Sequence, residues 1–161
     1  MTKKYNLYLG KAGHLAIMSE FLVRGWNVAI PEVDVGDDIF VVEDENGTMK
    51  RVQVKTSSVK IRKKTFSAQY QIPVKQLQLL SPTLIYYIFI ARQKDDTWTK
   101  PLIIRQEQLL DHYENNNVGS LHNKNINLYF SYTIATDKVE CSGQDFTKYI
   151  ADYSDFPVIE H

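Results

Sequence analysis

The sequence predicts an α/β fold, a mixed sheet with helices packed on it, and three observations carry that prediction. Segments with helical apolar spacing are interleaved along the chain with segments of strand character. One segment, from Leu84 to Ala91, is almost wholly apolar, as expected of a strand covered on both faces. The 161 residues are 43% hydrophobic and 24% charged, enough apolar mass for a core and no signature of disorder. A single domain spanning residues 1–161 is expected.

The first element is a helix over Lys11 to Arg24, where Leu15, Met18 and Leu22 recur at helical spacing and Gly25 supplies the stop. A short strand, Asn27 to Ile30, ends at Pro31. The next strand, Asp38 to Val42, leads into a turn whose Asn46-Gly47 pair is a strong hairpin signal. Its partner is Lys50 to Thr56. A fourth strand follows over Thr65 to Ile72, then a short helix within Pro73 to Leu80. After the apolar strand come a strand over Thr97 to Ile104 and a helix over Arg105 to Tyr113. The loop 114–119 precedes an alternating strand, Ile126 to Ile134, with one buried face. A last short helix is expected near Gln144 to Ile150.

Formal net charge is zero, so global electrostatics does not mark a nucleic-acid binder. The distribution is more informative. Residues 31–46 hold seven acids and no base, and residues 50–64 hold seven bases and no acid. Adjacent blocks of opposite sign suit a cation site beside a phosphate-binding surface. Cys141 is the single cysteine, which excludes an intrachain disulfide and fits a reducing, cytoplasmic setting. No apolar run approaches the ~20 residues of a membrane span, so no membrane partner is expected.

Asp38, Gln53 and Lys55 form the constellation that carries chemistry. Gln53 and Lys55 are two apart on one strand and share a face, and Asp38 opens the neighbouring strand. Magnesium takes oxygen ligands and keeps several waters, so a carboxylate from Asp38, the amide oxygen of Gln53 and the main-chain carbonyl of Val54 would suffice to hold Mg²⁺ or Mn²⁺. Such an ion polarises a phosphate and acidifies bound water. Lys55 would orient the attacking water or stabilise developing charge. Lys60, Arg62, Lys63 and Lys64 would hold flanking DNA phosphates. Asp34 and Asp37 read as loop acids near this metal site. Gln69 and Gln71 read as exposed polar positions, and His14 as a capping or packing residue. His112, His122 and Cys141 match no zinc spacing. No Walker-type phosphate loop is present.

The run from Gly10-Lys-Ala-Gly13 through Phe21 to Val28, Pro31 to Val42 and Arg51-Val-Gln-Val-Lys-Thr56 resembles the core of the PD-(D/E)XK nuclease superfamily. It is most similar to the small bacterial branch related to Holliday junction resolvases and intron homing endonucleases. The resemblance covers residues 10–72, leaving 73–161 as a C-terminal elaboration. It implies a restriction-endonuclease-like mixed central sheet flanked by helices, a metal-dependent DNA endonuclease and a homodimer. Asp38 and Lys55 match the superfamily's aspartate and lysine, and Gln53 stands where most members carry Glu or Asp. Members often place a Glu in the first helix. Here that position holds His14, and Glu20, seven residues after Gly13, is the helix's candidate acid. The alternative function is a catalytically inactive DNA-binding or protein-interaction module of the same fold. In the latter case the acidic, aromatic tail from Asp137 onward would be the contact surface.

Overall fold

The structure, a computed structural model, describes residues 2–33, 38–79 and 81–160. In chain order the elements are α1 (Lys3–Val23), β1 (Asn27–Ala29), β2 (Ile39–Glu43), β3 (Thr48–Ser58), β4 (Lys60–Ile61), β5 (Thr65–Pro73), α2 (Val74–Leu77) and β6 (Ile85–Arg92). Then follow β7 (Leu102–Arg105), α3 (Gln106–Asn115), β8 (Ser120–His122), β9 (Asn125–Thr133), β10 (Lys138–Cys141), β11 (Gln144–Asp145) and a 3₁₀ turn at Thr147–Tyr149.

Among the described residues two sheets form. The central mixed sheet has the order β1-β2-β3-β6-β7, with β3 and β6 parallel and the other pairs antiparallel. The second sheet has the order β11-β10-β9-β5-β4, with β8 also paired to β9. Within the first sheet β6 lies between β3 and β7 and is buried along its length up to Arg92, as its unbroken apolar run predicts.

The two faces of β6 organise two cores. Tyr86, Ile88 and Ile90 point to the side of α1 and join Ile17, Phe21, Val52 and Val54. Tyr87, Phe89 and Ala91 point to the other side and join Tyr70, Leu128 and Phe130 of the second sheet, together with Leu109 of α3. Helices thus flank the central sheet on both sides, and the second sheet shares one side with α3. Gly13 explains the close seat of α1: a Cβ there would run into the side chain of Thr56 on β3.

The structure departs from expectation at several elements. α1 begins at Lys3 rather than Lys11, because Thr2 acts as N-cap and accepts the amide of Tyr5 at 3.3 Å. The strand expected over Thr97 to Ile104 is confined to Leu102–Arg105, since Pro101 lacks the N–H a ladder needs; before it only a bridge between Arg92 and Trp98 forms. The helix expected near Gln144 is instead the β10–β11 hairpin and its 3₁₀ turn. Ser142 and Gly143 both take left-handed backbone there, with φ of 50° and 78°, which reverses the chain sharply.

The C-terminal tail is built into the fold. Phe156 is fully buried, its ring 4.8 Å from Phe21, 4.8 Å from Tyr86 and 5.6 Å from Trp26. Asp155 accepts two bonds from the Arg105 guanidinium, at 2.8 and 2.6 Å, and one from the Tyr86 hydroxyl at 3.0 Å. Lys50 donates to the Asp155 carbonyl and lies over the Trp26 and Phe156 rings. The aromatic residues that suggested a contact surface, Phe146, Tyr149 and Phe156 among them, are core residues. No described helix is long and apolar enough to cross a membrane.

Candidate functional site

The β2–β3 hairpin stops pairing at Ile39 and Val52, while β3 runs on to Ser58 with β6 on its other side. Beyond Val52 no described strand pairs with that edge of β3. Asp38 stands at this point. Its amide donates to the Val52 carbonyl at 3.0 Å, and its Oδ2 accepts the Val54 amide at 2.7 Å. The carboxylate thus replaces a missing strand partner. The Val54 carbonyl leaves the strand on the same side as its N–H, so it is turned to the Asp38 edge as well.

Continuing the register one step from Ile39 and Val52 sets Asp38 across from Gln53. Gln53 and Lys55 pair in register with Tyr87 and Phe89, and therefore share the face turned to the second sheet. Gln53 is 3% exposed, and its Oε1 has no hydrogen-bond partner among the described residues. A buried polar atom left without a donor costs about 1–3 kcal/mol. An oxygen that forgoes this beside a carboxylate and a main-chain carbonyl suits a hard cation such as Mg²⁺ or Mn²⁺. Among the described residues no group of three or more His, Cys, Asp and Glu side chains could hold a metal. Among the described residues the donor set is one carboxylate and neutral oxygens.

Lys55 is half-buried and lines a groove of about 590 Å³. Lys60 and Arg62 line it from β4 and the turn after it, Gln69 and Gln71 from β5, and Tyr129 from β9. Asn6 and Leu9 of α1 close the opposite side. Among the described residues three bases and no acid line this groove, so it favours an anion. Asp38 lies in an adjoining hollow of about 390 Å³, and Asn6 borders both. Lys63 and Lys64 are exposed in the β4–β5 turn beside the groove, outside its lining.

His14 and Glu20 lie at different distances from Asp38 than the sequence suggests. His14, read as a capping or packing residue, places Nε2 3.5 Å from Asp38 Oδ1. Glu20 is exposed and lies six residues further on, about 9 Å along the helix axis. Burial first, and the Glu20 carboxylate second, push the Tyr153 phenol up to about 12. Glu20 therefore belongs to the Tyr153 end of α1, and the structure does not bring it to Asp38. Asp34 and Asp37 lie outside the described residues. Gln69 and Gln71, whose alternation on a strand after the basic segment reads as exposed polar positions, line the groove. Gln71 is oriented by donating to the Asn127 side chain at 2.8 Å.

His112 and Cys141 are engaged in the packing. His112 bonds the Tyr149 hydroxyl at 3.0 Å and stacks near Phe146, while Cys141 is buried, which raises its thiol pKa.

No protein-family description and no curated protein sequence matches the chain. Among solved structures it is similar to the bacterial homing endonuclease I-Ssp6803I, at a TM-score of 0.52 and 15% sequence identity. The likeness covers 91% of this chain and 86% of that one. The chain therefore has a nuclease-like fold.

Proposed function

We propose that the chain is a metal-dependent DNA endonuclease of the PD-(D/E)XK kind, one domain over residues 1–161, that hydrolyses phosphodiester bonds. The observation that carries the reading is the buried, unpartnered Oε1 of Gln53 beside Asp38, at the head of a basic groove. The nuclease-like fold of the homing endonuclease supports it. Asp38, Gln53 and the Val54 carbonyl would hold Mg²⁺ or Mn²⁺, which when bound polarises a phosphate and acidifies water. Lys55 orients water and meets negative charge developing on the phosphoryl oxygens. Lys60 and Arg62, with Lys63 and Lys64 at the margin, hold backbone phosphates and give affinity without sequence choice.

The test is cleavage of plasmid, branched and single-stranded DNA with Mg²⁺ or Mn²⁺. Asp38→Ala and Lys55→Ala should each abolish it, and undiminished cleavage in either variant refutes the assignment. A second reading, an inactive DNA-binding module, is favoured by one observation. One oxygen of the Asp38 carboxylate is already taken by the Val54 amide. Calorimetry separates the two: DNA affinity with no Mg²⁺ or Mn²⁺ binding selects the module.

A further inference from the structure

Along α1 the residues Tyr5, Tyr8, Ala12, Leu15, Ser19 and Leu22 recur at alternating spacings of three and four, the pattern of a helix seam. The large ones are open to solvent: Tyr5 is 46% exposed, Tyr8 68%, Leu15 54% and Leu22 54%. Ala12 and Ser19 are exposed as well. At 100° per residue this stripe stands opposite Gly13, Ile17 and Phe21, the residues that seat α1 on the sheet. The helix thus carries two apolar faces and covers one of them. In addition, residues 3–8 are exposed on all sides. Two helical turns without packing are marginal in water.

We propose that the stripe is a dimer interface, filled by α1 of a second copy running antiparallel across a two-fold axis. The side chains are self-complementary in size under that operation: Tyr8 of one copy meets Ser19 of the other, Leu15 meets Ala12, and Tyr5 meets Leu22. Each bulky residue faces a small one except at the two ends, where Tyr5 and Leu22 have open space. Charge selects the same direction. Lys3, Lys4 and Lys11 all lie in the first half of α1, the helix's acid, Glu20, lies in the second, and Arg24 at the C-cap is turned onto the Tyr153 ring, 3.6 Å from its centroid. A parallel pair would set Lys4 against Lys4 and Lys11 against Lys11 and align the two macrodipoles. An antiparallel pair parts the basic ends and brings each toward the Glu20 turn of its partner.

The area is that of a small interface. With Val23 at the margin of the stripe, 82% exposed, α1 offers surface on the order of 600 Å² per copy, against ~800 Å² per partner in a standard interface. An isolated monomer rarely leaves so much contiguous apolar surface bare.

Sedimentation equilibrium without DNA or metal tests this apart from any nuclease activity. The wild-type chain should dimerise, and Leu15→Lys should weaken association by roughly 10-fold or more at unchanged far-UV circular dichroism. Tyr8→Cys/Ser19→Cys should form a disulfide-linked dimer under mild oxidation, and Tyr8→Cys alone should not. A wild-type chain that is monomeric at about 100 μM overturns the proposal. So does a Leu15→Lys chain that still dimerises as the wild type does, and so does efficient crosslinking of Tyr8→Cys alone.

Discussion

The two ends of β3 carry the same kinds of groups and treat them in opposite ways. At the first end, Lys50 meets the Asp155 carbonyl and two aromatic rings, and the Asp155 carboxylate accepts three hydrogen bonds from Arg105 and Tyr86. Arg105 foremost holds the Asp155 carboxyl below its usual range, and burial with the Asp155 bond pushes the Tyr86 phenol up. This network is closed, and it clamps the tail to the core. At the other end, Asp38 caps a strand edge, the Gln53 oxygen is buried without a donor, and Lys55 faces a basic groove. Closed polar networks stabilise a fold, whereas an unsatisfied buried acceptor costs the fold free energy that a ligand completing it returns.

Mutations at the two ends should therefore differ in kind. The largest expected effect is on cleavage: Asp38→Ala or Lys55→Ala should lower the rate of plasmid nicking by about 10³-fold or more with the fold intact. Loss of cleavage accompanied by unfolding would erase the distinction between the ends. Next comes Asp155→Ala, which should destabilise the chain by about 2 kcal/mol in urea unfolding, because it strands Arg105 and Tyr86.

The pH dependence has a definite sign. A carboxyl with a lowered folded pKa contributes stability that is fully present above its ordinary value of 3.8 and fades as pH falls through the lower folded value. Asp155→Asn should accordingly flatten the acid limb of the stability profile below that value, as read by unfolding at a series of pH values.

Gln53→Met should do the opposite of Asp155→Ala, raising stability by about 1 kcal/mol while removing Mg²⁺ or Mn²⁺ binding by calorimetry. A stability loss of the size seen at Asp155 would mean that the Gln53 oxygen is satisfied after all. The smallest effect is at the groove. Lys60→Ala/Arg62→Ala should reduce the salt slope of DNA binding by about 2, with little change in stability.

Some of this was legible residue by residue. The β2–β3 hairpin announced itself through its alternation and Asn46-Gly47, and Asp38, Gln53 and Lys55 could be ordered on it before any coordinates. β6 was legible because a strand covered on both faces has no polar phase to hide. His14 was passed over because nothing local says which residue of a helix will stand beside a strand end. Glu20, an acid on nearly the same helical side, was chosen by residue type, and the length of the helix carried it away from Asp38. The start of α1 at Lys3 was missed because apolar period locates buried helix, and these first turns have no buried face.

By itself the sequence determined the local periods, the turn chemistry and the order of acid, amide and lysine, because these depend on neighbours a few residues apart. The tertiary structure alone decided that β5 pairs with β9 across some sixty residues, that Phe156 returns to Phe21, and that one α1 face stays bare. Those outcomes rest on which apolar surfaces meet, and burial is non-directional: it rewards any good contact and names no partner in advance.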